Sequence, residues 1–136
     1  MFYILFMEHN NILGTVLAGG KSQRFGEDKS QILLADKILI DYILAEIIDE
    51  FKEVLIVSNN SIKFTNYDKI SLIGDIKKDL GPLGGVLSAM KWVKDQNKNY
   101  KWIATFPVDT PFFKKKILDQ FINQIDENES SLFFIK

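Results

Sequence analysis

An apolar run, Ile12-Leu13-Gly14-Thr15-Val16-Leu17, empties through Ala18 into two adjacent glycines, Gly19 and Gly20, and then into a stretch that carries Lys21, Arg24 and Lys29. A strand followed by a glycine turn has the build of a phosphate-holding loop. Glycine reaches backbone geometry closed to other residues, and free N–H groups can then point at an anion. The cations fit the same reading. Arg24 is the only arginine among 17 basic residues, and a guanidinium grips phosphate oxygens in a planar fork. Two familiar phosphate loops do not match. Adjacent glycines exclude the G-x-G-x-x-G fingerprint, and Gly14 to Ser22 is one residue too long for the P-loop, with Gly14 placed in the strand.

From Ile12 onward the pattern is strand, turn and helix, repeated, without a linker or low-complexity stretch. Leu33-Leu34 and Ile38-Leu39, around the turn Ala35-Asp36-Lys37, predict a small hairpin leading into a helix. That helix gathers Ile43, Leu44, Ile47, Ile48 and Phe51 on one face. Val54 to Val57 reads as a buried parallel strand that ends at the polar Ser58-Asn59-Asn60, and Ile70 to Ile73 as a further strand before Gly74-Asp75. Gly81-Pro82-Leu83-Gly84-Gly85 then predicts a helix start, with proline pre-organised for the first turn and Leu83, Val86, Leu87, Met90 and Val93 continuing the apolar spacing.

Two glycines in a first turn cost about 1 kcal/mol each against alanine. They imply either close packing against the preceding strand loop or close approach of a ligand, and for the pair beside Pro82 a ligand wall is the expectation. The strand Lys101 to Phe106 is stopped by Pro107-Val108-Asp109-Thr110-Pro111, which sets Asp109 beyond its carboxyl end, on the edge that carries Gly19 and Gly20. The bland alternative for Asp109 is a turn residue that caps the following helix. That helix carries Ile117, Leu118, Phe121, Ile122 and Ile125, and the triplet Lys114-Lys115-Lys116 at its start reads as a solvated face or an anion-contacting surface. Ser131 to Ile135 predicts one more strand.

The chain has 136 residues, 46% of them hydrophobic, with a formal net charge of −1, so nothing global points to nucleic acid or a membrane surface. Cysteine is absent, and the single histidine, His9, precedes the first strand. Disulfides, thiolate zinc sites, a cysteine nucleophile and a Ser-His-Asp triad within the fold are thereby excluded. Any metal must be held by oxygen, which favours Mg²⁺ bound through one or two carboxylates and substrate phosphates. A cytoplasmic location is compatible with the lack of cysteine. The apolar Met1 to Met7 is too short to span a membrane and lacks the flanks of a signal peptide. It reads as the product of an upstream start codon, with Met7 the natural beginning, or as an extra segment packed on the sheet edge.

Three ordered segments, LAGGKSQRFGEDK at 17–29, GPLGG at 81–85 and PVDTP at 107–111, together resemble the molybdenum cofactor guanylyltransferases, the MobA family of nucleotidyltransferases of sugar-nucleotide type. The resemblance implies an α/β protein with a Rossmann-like three-layer α/β/α fold and a mostly parallel central sheet. It covers residues 12–136, after an extension at 1–11, and stops short of the family's C-terminal portion. It implies transfer of GMP from GTP to molybdopterin with release of pyrophosphate, in the presence of Mg²⁺. Carried over by motif, Leu17, Ala18, Gly19 and Gly20 contact the nucleotide, Arg24 and Lys29 the triphosphate, and Asp109 the metal. Asp75 faces the nucleotide, Gly81, Pro82, Leu83 and Gly84 wall it, and Asn59 contacts base or ribose. A cytidylyltransferase acting on molybdopterin and a non-catalytic GTP-binding module are the alternatives.

Overall fold

The computed structural model describes residues 10–19, 28–77 and 80–123. Strands β1 (Ile12–Leu17), β4 (Val54–Val57), β5 (Ile70–Ile73) and β6 (Trp102–Pro107) form one parallel sheet in the order β5-β4-β1-β6. The hairpin of β2 (Leu33–Leu34) and β3 (Lys37–Ile38) stands apart from it. Helix α1 (Leu39–Ile47) follows the hairpin, α2 (Pro82–Asp95) follows β5, and α3 (Lys115–Ile122) follows β6.

Alternation along the strands divides the core in two. Ile12, Val16, Val54, Ile56 and Phe106 face α1 and α3 in one apolar cluster, whereas Leu13, Leu55 and Val57 face α2 in the other. A sheet covered on both sides is what a continuous apolar run such as Val54 to Val57 requires, and all four of its residues are buried. The expected α/β/α layering is therefore present. Among the described residues no helix is long and apolar enough to cross a membrane. The expected strand at Ser131 to Ile135, the segment Met1 to Met7, His9 and Ile125 lie outside the described residues.

Four readings change in detail. Helix α1 ends at Ile47, so Phe51 joins the core from the turn beyond the helix rather than from its face. Pro107 closes β6 instead of stopping it, in register with Leu17. It can do so because β6 is an edge strand of this four-stranded sheet, where a missing N–H is tolerated.

Helix α2 buries only part of the expected apolar face, with Val93 and the neighbouring Trp92 packed against the second cluster. Leu83, Leu87 and Met90 are exposed, and the buried face is Gly84, Gly85, Ser88 and Ala89. Small residues let the helix lie close to the sheet. A Cβ on Gly85 would come within 2.7 Å of Leu17 Cδ2, and one on Gly84 within 3.2 Å of the Lys77 carbonyl oxygen. Close packing, the reading given second place for this pair, is thus observed. Gly81 has its own reason, a positive φ of 56° at the residue before the helix.

Finally, Lys114 and Lys115 stay exposed, as a solvated face would be, but are paired. Lys114 Nζ meets Glu46 Oε1 at 3.1 Å and Lys115 Nζ meets Glu50 Oε1 at 2.7 Å, tying the start of α3 to the flank of α1.

Candidate active site

The connection order reverses between β1 and β6. From β1 the chain moves to β4 and β5 on one side, then returns to place β6 on the other. In open α/β sheets the crevice beyond the carboxyl ends at such a point is where ligands bind. Leu17 ends β1 there, and the Ala18 N–H donates to the Val57 carbonyl at 2.9 Å, holding the chain to the sheet until Gly19. Gly20 and Arg24 lie outside the described residues.

Lys29 and Asp109, 80 residues apart in sequence, meet at this edge. Lys29 Nζ lies 3.5 Å from Asp109 Oδ2, and the two side chains keep 42% and 53% of their surface open to solvent. Such a long, exposed ion pair contributes little to stability. Its significance is the convergence of a cation and a carboxylate that ligands can reach. Asp109 does not cap the following helix, since Lys114 occupies that position and no side-chain capping bond is made there. The turn that carries Asp109 is held by Thr110, whose hydroxyl donates to the Pro107 carbonyl at 2.8 Å.

Asp75 stands on the other side of the crevice, just past β5. Its backbone N–H donates to Asn59 Oδ1 at 2.7 Å, and its Oδ2 accepts from Asn59 Nδ2 at 3.2 Å. Both polar atoms of the Asn59 amide thus engage Asp75. A Cβ on Gly19 would come within 3.2 Å of Asp75 Oδ2, and one on Gly85 within 3.8 Å of Oδ1. Gly19 therefore leaves room for the Asp75 carboxylate, while a Cβ on Gly85 would be in ordinary contact with it. Asp75 Oδ1 is buried and has no hydrogen-bond partner among the described residues. A buried acceptor left unpaired is costly, and a ligand donor would satisfy it.

Gly81, Pro82, Leu83 and Gly84 form the start of α2, with Gly84 buried and Leu83 fully on the outside. On the opposite flank, β6 and the chain after it open onto a groove of about 970 Å³, lined by Ile32, Leu34, Phe106, Phe113 and Phe121 among others, with Asp109 on its wall.

Two residues of the site, Asp28 within the 17–29 segment and Asn60, were assigned no role from the sequence. Asp28 Oδ1 accepts from the Ser30 N–H at 2.9 Å and the Ser30 hydroxyl at 2.7 Å, capping a 3-10 turn that begins at Lys29. Its Oδ2 accepts from Asn60 Nδ2 at 2.8 Å. An aspartate two residues before a serine is a local capping signal. The partnership with Asn60 crosses 32 positions and has no local sign.

A parallel sheet whose strand order reverses beside β1, with a lysine and two carboxylates at its strand ends, defines an α/β protein of doubly wound type with a ligand crevice at that edge. The chain belongs to the family of the MobA-like NTP transferase domain, whose model matches residues 14–136. It is 31% identical over 125 residues to a probable molybdenum cofactor guanylyltransferase of Halalkalibacterium halodurans, covering 89% of this chain and 61% of that protein. It is 30% identical over 118 residues to the molybdenum cofactor guanylyltransferase of Serratia proteamaculans, covering 85% and 57%. The chain thus spans about three fifths of the length of these curated relatives. Among solved structures the fold is similar to Rv0371c of Mycobacterium tuberculosis H37Rv, with a TM-score of 0.63 and 18% identity over 84% of this chain and 60% of that one. It is also similar to 4-diphosphocytidyl-2C-methyl-D-erythritolsynthase of Anaerococcus prevotii, with a TM-score of 0.58 and 14% identity over 87% and 52%.

Proposed function

We propose that this chain binds GTP with Mg²⁺ and transfers GMP to molybdopterin, releasing pyrophosphate. The observation that carries the reading is the meeting of Lys29 and Asp109 at the switch point of the sheet, in a chain whose curated relatives are named molybdenum cofactor guanylyltransferase.

An acceptor phosphate oxygen attacks the α-phosphorus of GTP, and the bond from that phosphorus to the bridging oxygen of pyrophosphate breaks. No protein nucleophile is needed, in keeping with a chain that has no cysteine and whose single histidine precedes β1. Positioning and charge neutralisation then make up most of the catalysis. Lys29, with Arg24 from the glycine loop, offsets the charge of the triphosphate and of the departing pyrophosphate. Asp75 offers a buried acceptor oxygen to a hydroxyl or amino donor of the nucleoside. Leu17, Ala18 and Gly19 bring backbone close to the nucleotide, and the small face of α2 keeps that side of the crevice closed.

Asp109 fits a hard cation. It is an accessible carboxylate, and Mg²⁺ is commonly held jointly by one or two protein carboxylates and substrate phosphates. When bound, Mg²⁺ supplies charge neutralisation at the phosphates.

The test is pyrophosphate release by the 136-residue chain with Mg²⁺ and molybdopterin, comparing GTP, CTP and ATP and omitting the acceptor as a control. Acceptor-dependent release with GTP is the expected result. Preference for CTP would make the chain a cytidylyltransferase. Saturable MgGTP binding without release would make it a nucleotide-binding module, and phosphate production without acceptor would overturn the transferase reading altogether.

A further inference from the structure

We infer that Asn60 is a positioning residue for Lys29, acting through Asp28 across a clamp that joins the loop after β4 to the turn carrying the lysine. The inference rests on the nucleotide-binding reading of the site. Lys29 begins a turn of three residues, too short to hold itself. Its geometry is fixed from both ends by the loop after β4. At one end Asn60 Nδ2 donates to Asp28 Oδ2 at 2.8 Å, while Asp28 Oδ1 holds the N–H and hydroxyl of Ser30. At the other end Gln31 and Lys63 exchange a reciprocal pair. Gln31 Nε2 donates to the Lys63 carbonyl at 2.9 Å, and the Lys63 N–H donates to Gln31 Oε1 at 2.8 Å.

Both rungs join residues 32 apart, so they bind the two segments in one register with Lys29 between them. Ser30, wholly buried, pins the middle of the turn. The Asn60 N–H is in turn received by Ser58 Oγ at 3.2 Å, at the end of the buried strand. The side chain of Lys29 is therefore launched from a frame anchored in the sheet, toward Asp109.

The neighbouring Asn59 holds Asp75 in the same manner. One loop thus orients both the cation on one side of the crevice and a carboxylate on the other. A lysine side chain has four rotatable bonds and large rotamer freedom, so fixing its stem determines how often the ammonium faces a bound phosphate.

The experiment measures MgGTP affinity by calorimetry for the full 136-residue chain and for Asn60→Ala, Asn60→Asp, the swap Asp28→Asn with Asn60→Asp, Lys29→Met, and Lys29→Met with Asn60→Ala. Loss of the bond in Asn60→Ala, which changes no charge, should weaken binding about fivefold, the equivalent of one hydrogen bond. Asn60→Asp should weaken it more, because two carboxylates then face each other. The swap exchanges amide and carboxylate, keeps the charge, and should return affinity to within about twofold of the native chain.

The decisive arm is the cycle. If Asn60 acts through the lysine, removing it from the Lys29→Met chain costs nothing further. A generally loosened loop would add its full effect in either background. Equal affinity of Asn60→Ala and the native chain, additive losses in the cycle, or a swap that fails to recover binding would each overturn the inference and leave the nucleotide reading standing. A native chain that binds neither MgGTP, MgCTP nor MgATP would overturn both.

Discussion

Asp75 and Asp109 both follow a strand of the same sheet and both border the same crevice, yet they are held in opposite ways. Asp75 is built in. An amide engages its backbone and one carboxylate oxygen, Gly19 makes room for it, and its other oxygen is buried. Asp109 projects from a proline-flanked turn with half its side-chain surface open and a lysine at 3.5 Å. A carboxylate that must recognise one donor geometry gains from rigidity. One that exchanges a lysine for a metal and phosphates, as proposed for Asp109, gains from a weak, accessible partner. The difference separates two kinds of mutational effect, loss of chemistry without loss of fold, and loss of both.

The largest effect expected is at the exposed carboxylate. Asp109→Asn keeps the size of the side chain and removes its charge, so acceptor-dependent pyrophosphate release should fall at least about 100-fold, as for loss of a principal electrostatic contributor. The melting temperature should stay within about 2 °C of the native chain, since the ion pair it breaks is exposed and long. Titrating Mg²⁺ separates the causes. If the variant and native rates are equal at limiting Mg²⁺, Asp109 is not the metal residue.

Lys29→Met comes next, with MgGTP affinity lower by about tenfold and stability unchanged on the same grounds. A fall in melting temperature comparable to the loss of binding would show that the pair is structural, and the contrast with Asp75 would collapse.

Asn59→Ala should behave differently. It frees the Asp75 backbone N–H and withdraws a donor from its carboxylate. Stability should drop by about 1 kcal/mol and MgGTP affinity by about fivefold together. Chemical denaturation and calorimetry on one preparation would read both. Weakened binding at native stability would move Asn59 from a support of Asp75 to a direct nucleotide contact, the role its sequence neighbourhood first suggested.

The order of strands and layers was legible because buried parallel strands leave a strong mark. Val54 to Val57, and Ile12 to Leu17 before the glycines, have few other readings. Asp109 was legible for a related reason, a proline on each side of a short turn at a strand end. The face of α2 was not. Periodicity selects large apolar side chains, and Leu83, Leu87 and Met90 satisfy it, but the helix seats on glycine, serine and alanine because the sheet beneath carries Leu17 and Asp75 close to the helix axis. The two glycines mark a close approach in the sequence, but Leu17, which fills the space beside Gly85, is 68 positions away and leaves no local sign. The part played by Asn59 and Asn60 was hidden more deeply, since each amide has its partner 16 or 32 positions away and short polar loops look alike.

Glu46 provides a carboxylate outside the crevice against which the other two can be measured, and the smallest effect is expected there. The hydrogen bond from Lys114, and after it the backbone N–H of Lys115, holds its carboxyl below the usual carboxylate range. A carboxyl depressed on folding contributes stability that is fully present above its unfolded value near 4.3, and that contribution disappears as pH falls through the lower folded value. Glu46 should therefore steepen the acid limb of the stability profile below about pH 4.5 and leave the neutral region flat. Lys114→Met withdraws the main cause, so it should lower the melting temperature at pH 7 by no more than about 2 °C and flatten the acid limb, while MgGTP affinity stays native. Thermal melts from pH 3 to pH 7 decide it. If Lys114→Met instead weakened nucleotide binding, the lysine triplet at the start of α3 would be an anion-contacting surface after all, and the boundary of the site would have to be redrawn beyond Asp109 to include that helix.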